Sequence, residues 1–259
     1  SSLDLSKLSA HDVTSFVRRH AYDHGHGRAR LMGPALRSFF SFLRLRGDIS
    51  KDFSGCIPPI ANWRLTNLPK FMEPSDVKRL LKACDRKTSK GQRDYALLLL
   101  IARLGLRACE VVALTLDDIN WQAGEITIHG KGKRLSRFPL PQDVGEAIAD
   151  YLRNGRPICL SRQVFIRTRA PIRGFANSVN VSTIVSRTLF RAGLNPPCKG
   201  AHLLRHTAAV GILRRGASLS EVGEILRHRN VNTTAIYAKV DLPRLKGLAQ
   251  PWPRTMRGD

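Results

Sequence analysis

Acidic residues are scarce in this chain. Its 259 residues carry 20 Asp and Glu against 43 Lys and Arg, a formal net charge of +23. That excess is far beyond what solubility requires and points to a polyanionic partner. Long hydrophobic runs are missing too. A bilayer span needs about 18 apolar residues, and the longest apolar core, Tyr95 to Ala102, falls well short. No membrane partner is therefore expected, and nucleic acid is favoured as the polyanion. No secretory leader is visible, although the first residue is not Met and trimming is an open reading. Cysteine is sparse: Cys56, Cys84, Cys109, Cys159 and Cys198 are scattered, odd in number and without metal spacing. This argues against a disulfide scaffold or zinc site and suits a reducing, cytoplasmic setting. Cys109 reads as a small core residue. Asp23-His24-Gly25-His26 has two imidazoles but no further ligands nearby, so it reads as a loop.

What is present is concentrated in the last third. Ala201 to Val240 holds His202, Arg205, His228 and Tyr237, separated by 3, 23 and 9 positions. Arg107 in LGLRACEV and Lys131 in IHGKGKRLSRFPL belong with them. A phosphodiester under attack gathers charge on its non-bridging oxygens, and donors aimed at that charge are usually the largest catalytic contribution. Arg meets two such oxygens with a planar fork and keeps its charge; Lys is a point donor that can also give up a proton. His exchanges a proton near neutral pH. Tyr can form a covalent intermediate that stores the broken bond. Together these groups can attack a phosphodiester without metal or other cofactor.

These residues resemble the tyrosine recombinases, the Xer and phage integrase group. The family pattern is an Arg in a GLRxxE turn, a Lys in a GKG hairpin, HxLRH, a second His in an LxH segment, and a Tyr nine residues later. Here they stand as Gly105-Leu106-Arg107-Ala108-Cys109-Glu110, Gly130-Lys131-Gly132, His202-Leu203-Leu204-Arg205-His206, Leu226-Arg227-His228, and Tyr237. The match runs from about Pro69 to Val240. Arg227 stands where the family often has Gly, and Leu104 where Thr is common. Several motifs agree in order and spacing, which makes the match specific where any one would be weak.

The resemblance implies a mainly α fold with a small β-sheet or hairpin, a catalytic domain preceded by a partial helical core-binding domain. The boundaries drawn are 1–62 for the helical domain, 63–73 for a linker, and 74–259 for the catalytic domain, with an assembly tail at about 241–259. In detail, Ser9 can cap a first helix through Val13, Phe16 and Val17, with Asp12 in its first turn. A second helix is expected from Gly27 to Arg46, with Leu36, Phe39, Phe40 and Leu43 as its buried stripe. Arg30, Arg37 and Arg44 recur every seven residues beside that stripe and are candidates for phosphate contact. Two helices are too few for an independent small core, and the resemblance implies a bundle of four or five, so the chain is expected to begin inside the core-binding domain or to have an unusually short one. Gly47 to Pro74 is Pro-rich and reads as extended.

Further on, Glu73 to Cys84 reads as an amphipathic helix and Gln92 to Leu104 as a buried one. Glu125 to His129 and Leu135 to Leu140 are expected strands around the Lys131 tip, with Lys133 and Arg134 beside it as DNA contacts. Val144 to Arg153 is expected helical, Val164 to Thr168 extended, and Val179 to Ala192 a helix offering Arg187 and Arg191 to DNA. Ala201 to Arg215 carries His202 and Arg205 on one face. His206 falls beside that face and is left outside the catalytic set. Ser218 caps Leu219 to Arg227, and Thr233 or Thr234 opens the helix that carries Tyr237.

The resemblance further implies that Tyr237 attacks the scissile phosphate to give a 3′-phosphotyrosyl link. Arg107 and Arg205 would clamp the phosphate, Lys131 would protonate the leaving 5′-oxygen, His202 would act as general base, and His228 would hydrogen-bond the phosphate. Partners would be double-stranded DNA with specific sites and further copies of the chain, four on two sites, in the bacterial cytoplasm on the nucleoid. A type IB topoisomerase shares much of this chemistry but needs no second site. A non-cleaving DNA-binding accessory protein would have no use for the complete set of six. A helix-turn-helix regulator built on Leu219 to Tyr237 would leave Arg107 and Lys131 unexplained.

Overall fold

The computed structural model of the chain describes residues 7–58, 68–130, 135–228 and 230–240; the side chains of 21–30 and of 231 are not described. The chain divides into two compact units, Ser1–Thr66 and Asn67–Asp259.

The first unit is built on α1 (Ala10–Leu45). Its start is the expected one: Ser9 accepts from the Asp12 N–H, and Asp12 accepts from the Ser9 N–H at 3.0 Å. The expected loop at residues 23–26 is not there, because the backbone is helical from Ala10 to Leu45. An isolated glycine costs a helix only about 1 kcal/mol and does not by itself end it. The axis is nevertheless not straight. Thr14 donates to the Cys56 carbonyl at 3.2 Å, and Arg37 to the neighbouring Ile57 carbonyl at 3.1 Å. A straight helix would hold residues 14 and 37 roughly 35 Å apart. The helix therefore turns back on itself, and Val13 and Val17 share a cluster with Phe40 and Leu43.

Ile49, Phe53 and Ile57 complete that cluster, so the first part of the expected extended segment is core rather than linker. The predicted apolar stripe holds only in part. Phe40 is 5% exposed, but Phe39 is 48% exposed. The short segment after α1 covers one side of the helix and does not reach the other.

In the second unit the organising element is α3 (Ser89–Leu104). Thr88 caps it by accepting from the Gly91 N–H, and every residue from Ala96 to Ile101 is buried. Against α3 pack α2 (Pro74–Lys82), α5 (Gln142–Asp150) and α7 (Ala201–Arg214). Phe71 and Met72, drawn above as linker, also belong here. Met72 is buried and donates its N–H to Thr207 Oγ1 at 3.0 Å.

A small antiparallel sheet lies in the order β1 (Ile119–Asn120), β2 (Glu125–His129), β3 (Leu135–Pro139). Ile126 pairs with Phe138 and His129 with Leu135. The tip between them, residues 131–134, lies outside the described residues, so Lys131, Lys133 and Arg134 are not placed. The segment around Val164 to Thr168, expected as a short strand or extended piece, forms only isolated bridges, Thr115 with Gln163 and Ile166 with Gly174. Arg156 donates to the Gln163 and Val164 carbonyls and so takes the role of a neighbouring strand.

Among the described residues, four further α-helices belong to the unit: α4 (Ala108–Ala113), α6 (Val179–Arg191), α8 (Leu219–Ile225) and α9 (Val231–Thr234). Ser218 caps α8 as expected, with Glu221 closing a capping box. Tyr237 does not sit on the α-helix expected for it. That helix stops at Thr234, and Tyr237 stands in a 3₁₀ turn, Ala235–Val240. The expected assembly tail lies outside the described residues.

Candidate active site

The site is made from helix ends. Gly105 ends α3 in the left-handed conformation, φ 60°. A Cβ there would meet Leu226 Cδ2 at 2.6 Å, so the turn requires glycine twice over. Leu106 anchors the turn in the core, and Arg107 then opens α4. Its own N–H donates to Glu110 Oε2 at 2.8 Å and its guanidinium to Glu110 Oε1 at 2.7 Å. A second guanidinium nitrogen donates to the Arg227 carbonyl at 3.0 Å. Burial pushes the Glu110 carboxyl up, but Arg227 and Arg107 outweigh it and hold the group below its usual range.

Arg205 arrives from α7. It is 4% exposed, and its two terminal nitrogens donate to the carbonyls of Gly105 and Leu226. These are the capping residues that end α3 and α8. A guanidinium suits such carbonyls, which no helical N–H can reach. Burial, then the neighbouring Arg107, lowers the Arg205 pKa to about 10, so it stays charged at neutral pH.

His228 is placed by the end of α8. The His228 N–H bonds the Gly223 carbonyl and the Arg227 N–H bonds the Glu224 carbonyl, both at 2.9 Å. This is a Schellman closure, which requires the residue after the cap to be left-handed. That residue is Arg227, φ 56°. The His228 ring is fixed by a 2.7 Å hydrogen bond between Nδ1 and Thr234 Oγ1. Burial, then the Arg205 and Arg107 charges, lowers its pKa to about 4, so it is a neutral imidazole.

Tyr237 is 1% exposed, and its ring lies parallel to that of His228, centroids 6.4 Å apart. Its hydroxyl is 2.7 Å from His206 Nδ1. Burial raises the phenol to about 12 against the pull of Arg205, so it is fully protonated at rest. Burial, then the nearby His202, holds the His206 imidazole below its usual pKa. His202 is exposed, with its ring centroid 6.4 Å from that of His206.

An open cavity of about 770 Å³ adjoins these groups, lined among others by Arg107, Glu110, His129, Arg227, His228 and Thr233. Tyr237 and Arg205 are buried and are not among its lining residues. The structure thus brings together Arg107, Arg205, His228 and Tyr237, with His202 one helical turn from the His206 that holds the phenol. The remaining candidates are spread out. Arg187 is exposed on α6. Arg191 is exposed too, but it donates to Thr188 Oγ1 at 2.8 Å and lies 3.8 Å from the buried Asp94 carboxylate. Arg37 holds the Ile57 carbonyl, Arg44 pairs with Asp52 at 3.5 Å, and Arg30 lies within α1.

Three residues at the site are not marked as functional by the sequence patterns. His206 lies outside the catalytic set, although its position one turn after His202 is a signal. Cys109, expected in the core, is exposed and lines the cavity, because α4 buries Glu110 and Val111 instead. Arg227 shows in the sequence only as a departure from the family pattern. Among the described residues, no group of three or more His, Cys, Asp and Glu is placed to hold a metal ion, and no helix is long and apolar enough to cross a membrane.

Comparison with known proteins follows the same lines. The sequence profile of the phage integrase family matches residues 70–243. A putative integrase/recombinase of Sinorhizobium fredii, y4rA, is 52% identical over 97% of this chain and 61% of its own length. The tyrosine recombinase XerD of Listeria innocua is 33% identical over 82% of this chain and 71% of its own. The chain thus spans 61% of y4rA, and 52% of a second such protein, y4rF, of the same organism. Among solved structures, XerH site-specific recombinase bound to a palindromic difH substrate superposes with a TM-score of 0.76. It is 20% identical over 93% of this chain and 72% of that one. A lambda integrase dimer bound to a COC′ core site gives 0.68 at 14% identity, over 100% of this chain and 87% of that one. These structural likenesses establish the fold: mostly helical, with a three-stranded antiparallel sheet.

Proposed function

The chain belongs to the phage integrase family, the tyrosine recombinases, and from that membership we propose that it is a site-specific DNA recombinase. It would cut and rejoin double-stranded DNA one strand at a time. The observation that carries the proposal is the knot of backbone bonds at the site. Arg205 holds Gly105 and Leu226, and Arg107 holds Arg227, so segments far apart in sequence gather two guanidiniums and His228 in one region. A scissile phosphate is the chemistry that such a set of donors stabilises.

In the proposed step the Tyr237 oxygen attacks phosphorus and the bond to the 5′-oxygen breaks. The phenol proton goes to His202, and Lys131 gives one to the departing 5′-oxygen. Arg107 and Arg205 neutralise the charge that builds on the non-bridging oxygens, and His228 adds a hydrogen bond. The energy of the broken bond stays in the 3′-phosphotyrosyl link, so rejoining needs no ATP. Tyr237 is buried and bonded to His206. It therefore has to leave His206 before it reaches a phosphate, which is why the base at attack is assigned to His202 rather than to the resting partner.

Arg30, Arg37, Arg44, Lys133, Arg134, Arg187 and Arg191 are proposed to meet phosphates along the duplex. Four copies on two specific sites are proposed as the active assembly, acting on the nucleoid in a bacterial cytoplasm. The test is a nicked suicide duplex whose short 5′ fragment diffuses away after cleavage. The protein should accumulate a covalent adduct on it, and Tyr237→Phe should give none while still binding the duplex. Adduct formed by the Phe variant would overturn the assignment.

A further inference from the structure

Arg227 occupies a position that its backbone reserves for glycine. It is the left-handed residue of the closure that ends α8, φ 56°. A side chain there is disfavoured, and such outliers persist where surrounding contacts over-determine them, most often at functional sites. The contacts of Arg227 are specific. One terminal nitrogen donates to Glu110 Oε2 at 2.7 Å and the other to the Ile225 carbonyl at 3.2 Å. The guanidinium lies 4.9 Å from the centre of the Phe138 ring on β3. The side chain is 10% exposed, and its Nε is buried with no hydrogen-bond partner.

The important partner is Glu110. Arg107 takes one oxygen of that carboxylate and Arg227 the other, each at 2.7 Å. With Arg107 alone, a buried carboxylate would cancel the charge of the guanidinium assigned to the phosphate. With Arg227 present, one negative charge is shared between two positive ones, and the trio keeps a net positive charge on the cavity wall. Those three residues line the same cavity as His228, the next residue in the chain.

We propose that Arg227 is a positioning residue of the phosphate site. It holds Glu110 so that Arg107 is oriented but not neutralised, and through its backbone it sets where His228 stands. This rests on the reading of Arg107 as a phosphate ligand. It also assigns a role to a position that the family pattern leaves to a glycine without a side chain.

The test uses the full chain with Arg227→Gly, Arg227→Lys, and Arg227→Gly combined with Glu110→Gln. Glycine keeps the left-handed backbone, so folding should survive and the thermal midpoint reports it. The adduct rate on the suicide duplex should fall about tenfold or more in Arg227→Gly, short of the ~100-fold loss of a donor that meets the charge directly. Arg227→Lys should recover part of the rate. The double variant should also recover part, because the glutamine carries no charge to neutralise Arg107. In parallel, inorganic phosphate should bind Arg227→Gly about threefold or more weakly, the order of one partly screened charge, and the double variant should reverse this. A wild-type adduct rate in Arg227→Gly, or a double variant no better than the single one, overturns the proposal. If the wild type itself forms no adduct, the recombinase reading falls, and the phosphate titration still decides the role of Arg227.

Discussion

The two halves of the site are built in opposite ways. Arg107 caps the start of α4, and Arg205, inside α7, reaches the ends of α3 and α8, so most of the bonds that fix them also close a helix: the Arg107–Glu110 capping box, and the two helix-end carbonyls held by Arg205. Tyr237 sits in a six-residue 3₁₀ turn after a four-residue helix, with its hydroxyl on one histidine. The arginine half is thus inseparable from the fold, whereas the proposed nucleophile is held by local contacts that can be exchanged. Donors that stabilise a transition state work best when nothing has to reorganise. In the proposed step, a nucleophile that attacks and later releases DNA has to move.

The sharpest way to break this comparison is Arg205→Ala. Cleavage should slow by about 100-fold to 1000-fold. Stability should drop by about 3 kcal/mol or more, because two buried carbonyls lose their donors at ~1–3 kcal/mol each. A variant that loses cleavage at an unchanged thermal midpoint would separate chemistry from fold in this half.

Next come the two histidines of α7. His202→Ala should slow adduct formation about 100-fold, the scale of a general base. His206→Ala should change it less than about tenfold, since it removes only the resting partner of the phenol. Equal losses in the two variants would move the base to His206.

Acid should also act on this half, through His228. Its folded pKa, about 4, lies below its ordinary 6.5. The unfolded chain therefore binds the extra proton first, and stability is lost as pH falls from about 6.5 towards 4. Thermal midpoints of His228→Asn should be flatter than wild type across that window.

The smallest effect is the stability of Tyr237→Phe. It loses one hydrogen bond and keeps the ring, so the change should be about 1 kcal/mol in chemical denaturation. A much larger loss would show the nucleophile to be as structural as the arginines.

What the sequence disclosed follows the range of each signal. Ser9 and Ser218 cap their helices as expected, and Asp12, Glu221 and Glu110 each close a contact with the residue three positions before them. The apolar density of α3 announced its burial. Long-range pairings left no local trace. Arg227 meets Glu110 across 117 positions, and His206 meets Tyr237 across 31. The turning back of α1 was hidden because its backbone stays helical, and the burial of Ile49, Phe53 and Ile57 was masked by the prolines that follow. Phe39 misled because periodicity gives the stripe but not how much of it a partner covers.

Arg205 also bears on how the second unit breathes. Its guanidinium joins the last carbonyls of α3 and α8 to α7. Fraying of α8 would have to break the same bonds that aim the clamp, so these three helix ends should open as one cooperative unit. In hydrogen exchange the amides of Gly105, Leu226 and His228 should then share a single opening free energy. The amides after Thr234 should exchange sooner, leaving Tyr237 free to stray while the phosphate pocket keeps its shape.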